Sequence, residues 1–174
     1  EYNDLYLQRE LKQGLSETEE KNYIKYDVLF NKVNDLINIY NDTPNKKNII
    51  NLLILALYVL HAPNRNIYND LIIINDESEE TDKTKNYFLK TNNNNYYVII
   101  NKDKVSNKHG RGEIPITDTT LKTILNIYFS LYATNNIYLF EDDNHKPYTK
   151  RKIQYIINQY FKENSLKSYL KYSI

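Results

Sequence analysis

The chain has 174 residues, a formal net charge of +1 and a hydrophobic fraction of 41%. These values suit one ordinary domain or two small ones with a core of their own, and they fit a disordered or fibrous chain poorly. Because there is no cysteine, disulfide scaffolds, cysteine-based zinc sites and thiol nucleophiles are excluded. No apolar run reaches the roughly 18 residues of a membrane span, and no signal peptide opens the chain. We therefore expect an intracellular protein.

Two apolar patterns predict the helices of the first half. From Tyr26 to Tyr40 the apolar residues fall on one helical stripe, which predicts an amphipathic helix. The run 49–60 is apolar almost all round and predicts a central buried helix that ends before Pro63. A short strand over 71–74 is expected next.

The middle of the chain predicts a small sheet, and helices follow it. Strand-type runs at 87–89 and 96–100 flank a polar turn and predict a hairpin, and 114–116 predicts a further strand. Thr117 or Asp118 caps the next predicted helix, and an apolar stripe that begins at Ile153 predicts the last one. We expect an α+β fold, mostly α, with the strands at 71–74, 96–100 and 114–116 in one antiparallel three-stranded sheet.

The positive charge concentrates at the end of the chain. Residues 145–174 contain seven lysine or arginine residues and one glutamate, a net charge of +6, whereas residues 76–82 contain five acids and no cation. This segment is a candidate surface for a polyanion. The alternative is that its lysines are ordinary solvated residues on helix faces.

Metal sites and catalytic triads find little support in the sequence. The three histidines are far apart, and no phosphate-binding loop, nucleophile elbow or dinucleotide motif is present. Gly110-Arg111-Gly112 could bind a phosphate, although an isolated Gly-x-Gly is usually a flexible turn. We expect no cofactor and no metal.

Three segments resemble the catalytic domain of tyrosine recombinases, in particular the divergent integrase-like members of large DNA viruses. They are 18–26 (TEEKNYIKY), 62–68 (APNRNIY) after the buried helix, and 101–104 (NKDK) in the hairpin region. The resemblance spans about residues 18–174 and implies a single domain over 1–174 with a lead-in at 1–17. It implies duplex DNA as partner, allows a homo-oligomer on DNA, and is compatible with a viral factory, a virion or the nucleus.

The resemblance also implies the site. In this family a tyrosine attacks a phosphodiester, arginines stabilise the charge of the transition state, and a lysine protonates the leaving oxygen. The implied catalytic residues are Arg65, Lys104 and Lys171, with Lys102 and Lys108 as alternative registers for the hairpin lysine. The expected DNA-binding residues are Lys102, Lys108, Arg111, Lys150 and Arg151.

The sequence departs from the family at two points. Lys171 stands where the second arginine is expected, and no tyrosine lies at the expected distance after it. The chain starts at Glu1 without a methionine, which indicates a segment of a longer protein. We therefore expect this chain to be catalytically inactive, either because it ends before its nucleophile or because it is a degenerate domain. The alternatives are a recruited structural or virion component, or an unrelated helical interaction module.

Overall fold

The computed structural model describes residues 26–61, 67–101 and 110–160. These residues form an α+β fold, mostly α, with four helices and one sheet. The helices are α1 (Tyr26–Asp42), α2 (Lys46–Leu60), α3 (Thr119–Leu131) and α4 (Lys150–Tyr160), and the strands are β1 (Ile72–Ile74), β2 (Tyr87–Lys90), β3 (Tyr96–Ile100) and β4 (Gly112–Pro115). In the described part of the chain, no helix has the length and apolarity that crossing a membrane requires.

Helix α2 is the centre of the core. The side chain of Asn45 caps its first turn by accepting the N–H of Asn48 at 2.9 Å. Every residue from 49 to 59 is buried, so the helix has no solvent-facing side along that stretch. It contacts three other helices, α1, α3 and α4.

The other helices bury one stripe each, as amphipathic helices do. Helix α1 buries Leu29, Val33, Leu36 and Tyr40, at spacings of four, three and four residues. Asp118 caps α3 by accepting the N–H of Leu121 at 2.8 Å. The predicted helices and the Asp118 cap are therefore confirmed, except for residues after 160, which lie outside the described range.

The sheet has four strands in the order β1-β2-β3-β4. Strands β2 and β3 form the predicted antiparallel hairpin, and β4 pairs with β3 antiparallel. One row across the sheet, Ile73, Phe88, Val98 and Ile114, belongs to the same apolar core as the helices. The residues on either side of this row form a second, smaller apolar cluster that includes Ile74, Tyr87, Leu89 and Ile99.

The prediction of a three-stranded antiparallel sheet was wrong in two respects. Strand β2 lies between β1 and β3, which makes four strands, and β1 pairs with β2 in parallel. The physical reason is the long connection from 75 to 86, which contains a 3₁₀ turn at Glu77–Glu79. A connection of this length can return the chain to the same end of the sheet, which a tight hairpin turn cannot do.

Leu53→Ala tests the role of α2 as the central element. Leu53 is fully buried, so the substitution removes buried methyl groups and leaves a cavity. We expect the free energy of unfolding to fall by about 2–5 kcal/mol, measured by urea denaturation. Val28→Ala on the exposed side of α1 is the control and should change it by less than about 0.5 kcal/mol. Equal effects of the two variants would contradict a core centred on α2.

Candidate nucleic-acid interface

The structure describes three of the residues predicted for the site, Arg111, Lys150 and Arg151. The other five, Arg65, Lys102, Lys104, Lys108 and Lys171, lie outside the described residues. The predicted strand order would bring Arg65 and Lys104 toward one face, and this prediction also falls outside the described residues. The site can therefore be built only from the three described positions and from what surrounds them.

Arg111 lies in an acidic cluster at the edge of the sheet. Its Nε donates to Oε2 of Glu80 at 3.0 Å, its Nη1 to Oε2 of Glu113 at 3.0 Å, and its Nη2 reaches Oε2 of Glu77 at 3.4 Å. All three nitrogens of the guanidinium thus face carboxylates. In this arrangement Arg111 is an ion-pair partner within the fold, and DNA contact by Arg111 stays a prediction that would require it to leave these partners.

Glu80 is the central acceptor of that cluster. Its side chain is only 3% exposed, and its Oε1 also accepts hydrogen bonds from Asn101 and Lys83 at 2.7 Å each. Burial alone would raise the pKa of Glu80, but the hydrogen bonds from Lys83, Asn101 and Arg111 outweigh it and hold the pKa below its ordinary value. The carboxylate is thus stabilised in its charged form.

Lys150 and Arg151 belong to a different surface, which we call the basic surface. Its centre is a cleft lined by Lys46 and Lys47 at the start of α2 and by Lys152 at the start of α4. We count with it three exposed cations of the adjoining segments, which are Lys146 in the loop 142–146 and Lys150 and Arg151 at the start of α4. Lys46 and Lys47 line the same cleft as Lys152, so cations about a hundred positions apart in sequence meet there. The sequence predicted only the part of this surface that lies after residue 145.

The cleft of the basic surface has a volume of about 550 Å³ and lies between the start of α2, the segment 141–148 and α4. Lys152 places its Nζ 3.5 Å from the ring centre of Tyr148, a cation–π contact that fixes the ammonium at the wall. Tyr155 also lines the cleft and is 65% exposed. Asn51, which also lines the cleft, donates to the hydroxyl of Tyr160 at 3.0 Å.

Three carboxylates also line the cleft, and each has partners. Asp142 accepts the backbone N–H groups of Asn144 at 2.9 Å and of Lys146 at 3.0 Å. These hydrogen bonds, together with the charges of Lys146 and Lys152, lower the pKa of Asp142. Asp143 lies 3.9 Å from Lys46, and Glu141 contacts two backbone N–H groups and His145. The lining of the cleft is therefore balanced, with Lys46, Lys47 and Lys152 against these three carboxylates. The excess positive charge of the basic surface comes from Lys146, Lys150 and Arg151.

Glu141 and His145 form a pair that the sequence analysis missed. Oε1 of Glu141 lies 2.6 Å from Nδ1 of His145, and Oε2 accepts the N–H groups of Ile137 and Tyr138 at 2.8 and 3.0 Å. The Glu141 side chain is 3% exposed and the His145 side chain 60%. The sequence shows a Glu four residues before a His, which was the only available signal for this pair. Outside a helix, residues at this spacing meet only if the chain forms a tight turn between them.

His61 has a structural environment. It is buried at the end of α2, and its Nδ1 lies 2.8 Å from the hydroxyl of Tyr68. Burial lowers its pKa, although the nearby backbone of Pro115 acts in the opposite direction. Within the residues described, no three His, Asp or Glu side chains come together as a metal site would require.

Comparisons of the chain with models of known protein families, with curated proteins and with solved structures found no match.

Glu80→Gln should destabilise the fold in a pH-dependent way. The variant removes the charge that faces Arg111 and Lys83, and we expect the free energy of unfolding near neutral pH to fall by about 1–3 kcal/mol. Because the native pKa of Glu80 is lowered, its contribution is complete above the ordinary value of 4.5 and is lost as the pH falls through the native pKa. The gap between wild type and variant should therefore narrow on acidification.

Urea denaturation at several pH values measures this gap. The matched control is Glu79→Gln, an exposed neighbour whose carboxylate accepts one long hydrogen bond, from the N–H of Asn75 at 3.3 Å. A Glu80→Gln effect no larger than that of Glu79→Gln would show that the cluster around Glu80 contributes no stability. A gap that widens on acidification would contradict the lowered pKa of Glu80.

Proposed function

We propose that this chain binds duplex DNA through the basic surface, mainly by contacts to phosphates. The observation that carries the proposal is that the starts of α2 and α4, which are distant in sequence, bring Lys46, Lys47 and Lys152 to one cleft. Clustered lysine and arginine are what a phosphate backbone selects for, because each contact neutralises a phosphate and releases counterions.

Two further features support the proposal. The basic surface contains the N-terminal ends of α2 and α4, and a helix N-terminus carries a partial positive charge. The carboxylates nearby are occupied, since Asp142 and Glu141 both accept backbone N–H groups. Their negative charge is therefore partly offset before any ligand arrives.

The proposal extends to the class of protein. The resemblance to tyrosine recombinases makes strand breakage and rejoining the process to which such binding would belong, and an α+β fold that is mostly helical is compatible with it. Lys171 in place of an arginine supports a degenerate domain, because lysine lacks the planar pair of donors that holds two phosphate oxygens. We propose DNA binding without strand cleavage.

The first test is a salt titration of duplex DNA binding. We expect affinity to fall steeply with salt, with little preference between unrelated duplex sequences, because phosphate contacts position a protein without reading bases. Replacing Arg151 and Lys152 by Gln should weaken binding and reduce the slope of log affinity against log salt by about 2. Fluorescence anisotropy measures both quantities.

Lys32→Gln on α1 is the control for that experiment, because it removes one charge outside the basic surface, from an exposed pair with Asp35. It should leave affinity and slope near the wild-type values. Absence of binding at low salt would rule out the proposed function, and an equal loss in the Lys32 variant would mean that only the net charge matters.

The second test asks for a covalent intermediate. Burial raises the pKa of Tyr58 and of Tyr96 to about 12, which makes these phenols harder to ionise and poorer nucleophiles. Even with a tyrosine well placed, loss of one preorganised donor typically costs on the order of 10²–10³ in rate. We expect no protein–DNA adduct on a suicide duplex after denaturing electrophoresis.

Tyr155 provides the control for that result. It is the tyrosine that the cleft leaves most exposed, so Tyr155→Phe is the variant to run beside the wild type. An adduct that persists in Tyr155→Phe would place the nucleophile elsewhere, and one that disappears would place it in the cleft. Either adduct would contradict binding without cleavage.

A further inference from the structure

The Glu141–His145 pair lies in a turn whose backbone hydrogen bonds fix its position. The chain turns back between 141 and 147, with hydrogen bonds from the N–H of Asp142 to the carbonyl of Lys146 and from the N–H of His145 to the carbonyl of Asp142. His145 has a φ of 56°, the left-handed region that non-glycine residues seldom adopt. The turn thus determines where the imidazole lies.

Glu141 determines which nitrogen carries the proton. A carboxylate can only accept, so the 2.6 Å contact places a hydrogen on Nδ1 of His145. Since Glu141 is itself fixed by the N–H groups of Ile137 and Tyr138, this assignment is built into the fold. In the neutral imidazole Nε2 is then an acceptor, and it becomes a donor only when the ring is protonated.

The charges near the pair are of both signs, but the carboxylates already have partners. Lys146 follows His145 directly and, with Lys152 from α4, acts on the neighbouring Asp142. Asp142 lies in the same turn as the pair, and Asp143 is near Lys46 of α2. Both aspartates and Glu141 already accept hydrogen bonds or pair with a cation, whereas no hydrogen-bond partner of Nε2 is found within the described ranges.

We propose that His145 is a phosphate-binding residue of the basic surface whose contact forms only when the imidazole is protonated, so that DNA binding strengthens as the pH falls. The inference rests on the proposed function, because the phosphate is that of the bound DNA. It adds a specific donor, Nε2, and a linkage: binding of the phosphate and binding of a proton favour each other to the same extent. Neutral His145 presents a lone pair and has no donor to offer at that position.

The test compares DNA affinity at about pH 8 and about pH 5.5, across the range in which histidines change charge. We expect the wild type to bind about 3–10-fold more tightly at the lower pH, as one charge-assisted contact at an exposed site would give. His145→Asn should abolish most of that difference. Asn is the variant of choice because it tolerates the left-handed conformation and can still donate to Glu141.

Two control variants separate histidine chemistry from general charge. Lys146→Gln should weaken binding at both pH values and keep their ratio, since a lysine stays charged throughout this range. His109→Asn should behave like the wild type. His61 needs no variant, because it is buried at the end of α2, where it cannot contact a phosphate. In the wild type, the imidazole nitrogen signals of His145 should shift in nitrogen-15 spectra when DNA is added at low pH.

The outcomes distinguish this inference from the proposed function. Salt-dependent binding whose pH ratio is unchanged in His145→Asn would overturn the role of His145 and leave DNA binding by the basic surface standing. A pH effect that disappears in His109→Asn would overturn it in the same way. No binding by the wild type at low salt and low pH would overturn both. If His145→Asn unfolds, unshifted His145 signals in the wild type with DNA bound would still overturn the inference.

Discussion

Burial of α2 on all sides is the constraint on which the rest of the structure depends. A helix that is apolar around its whole circumference cannot lie on a surface, so it has to be enclosed. Helices α1, α3 and α4 each contribute one apolar stripe to that enclosure, and the row of Ile73, Phe88, Val98 and Ile114 brings the sheet into the same core. Each of these elements is amphipathic, so its polar side lies away from the core.

The basic surface follows from this packing. Because α4 must cover α2, Lys152 at the start of α4 is brought to the cleft that the two lysines at the start of α2 line. The loop that precedes α4 comes with it and adds Lys146 and the Glu141–His145 pair. The acidic cluster around Glu80 lies on another element, the connection between β1 and β2, and Arg111 is held there. Of the three predicted cations that the structure describes, Arg111 is therefore held in ion pairs, whereas Lys150 and Arg151 are exposed.

The sequence was informative where one local pattern decides the outcome. The stripe of α1, the continuous apolar run of α2 and the cap at Asp118 need only neighbouring residues, and the structure has all three. Strand order was different, because the parallel pairing of β1 and β2 depends on where a twelve-residue connection returns the chain. The same holds for the site. Lys47 and Lys152 line one cleft, and Arg111 contacts three carboxylates, but no local sequence pattern predicts either arrangement.

The enclosed position of α2 matters while the protein is being synthesised. The helix is complete by Leu60, but α4, which covers one of its sides, ends at Tyr160. At about 5–20 residues per second, translation of the intervening hundred residues takes about 5–20 seconds. Over that interval the most apolar segment of the chain is outside the ribosome without its last partner. A nascent chain of this design depends on being shielded, either by early packing with α1 or by chaperones that bind exposed apolar segments.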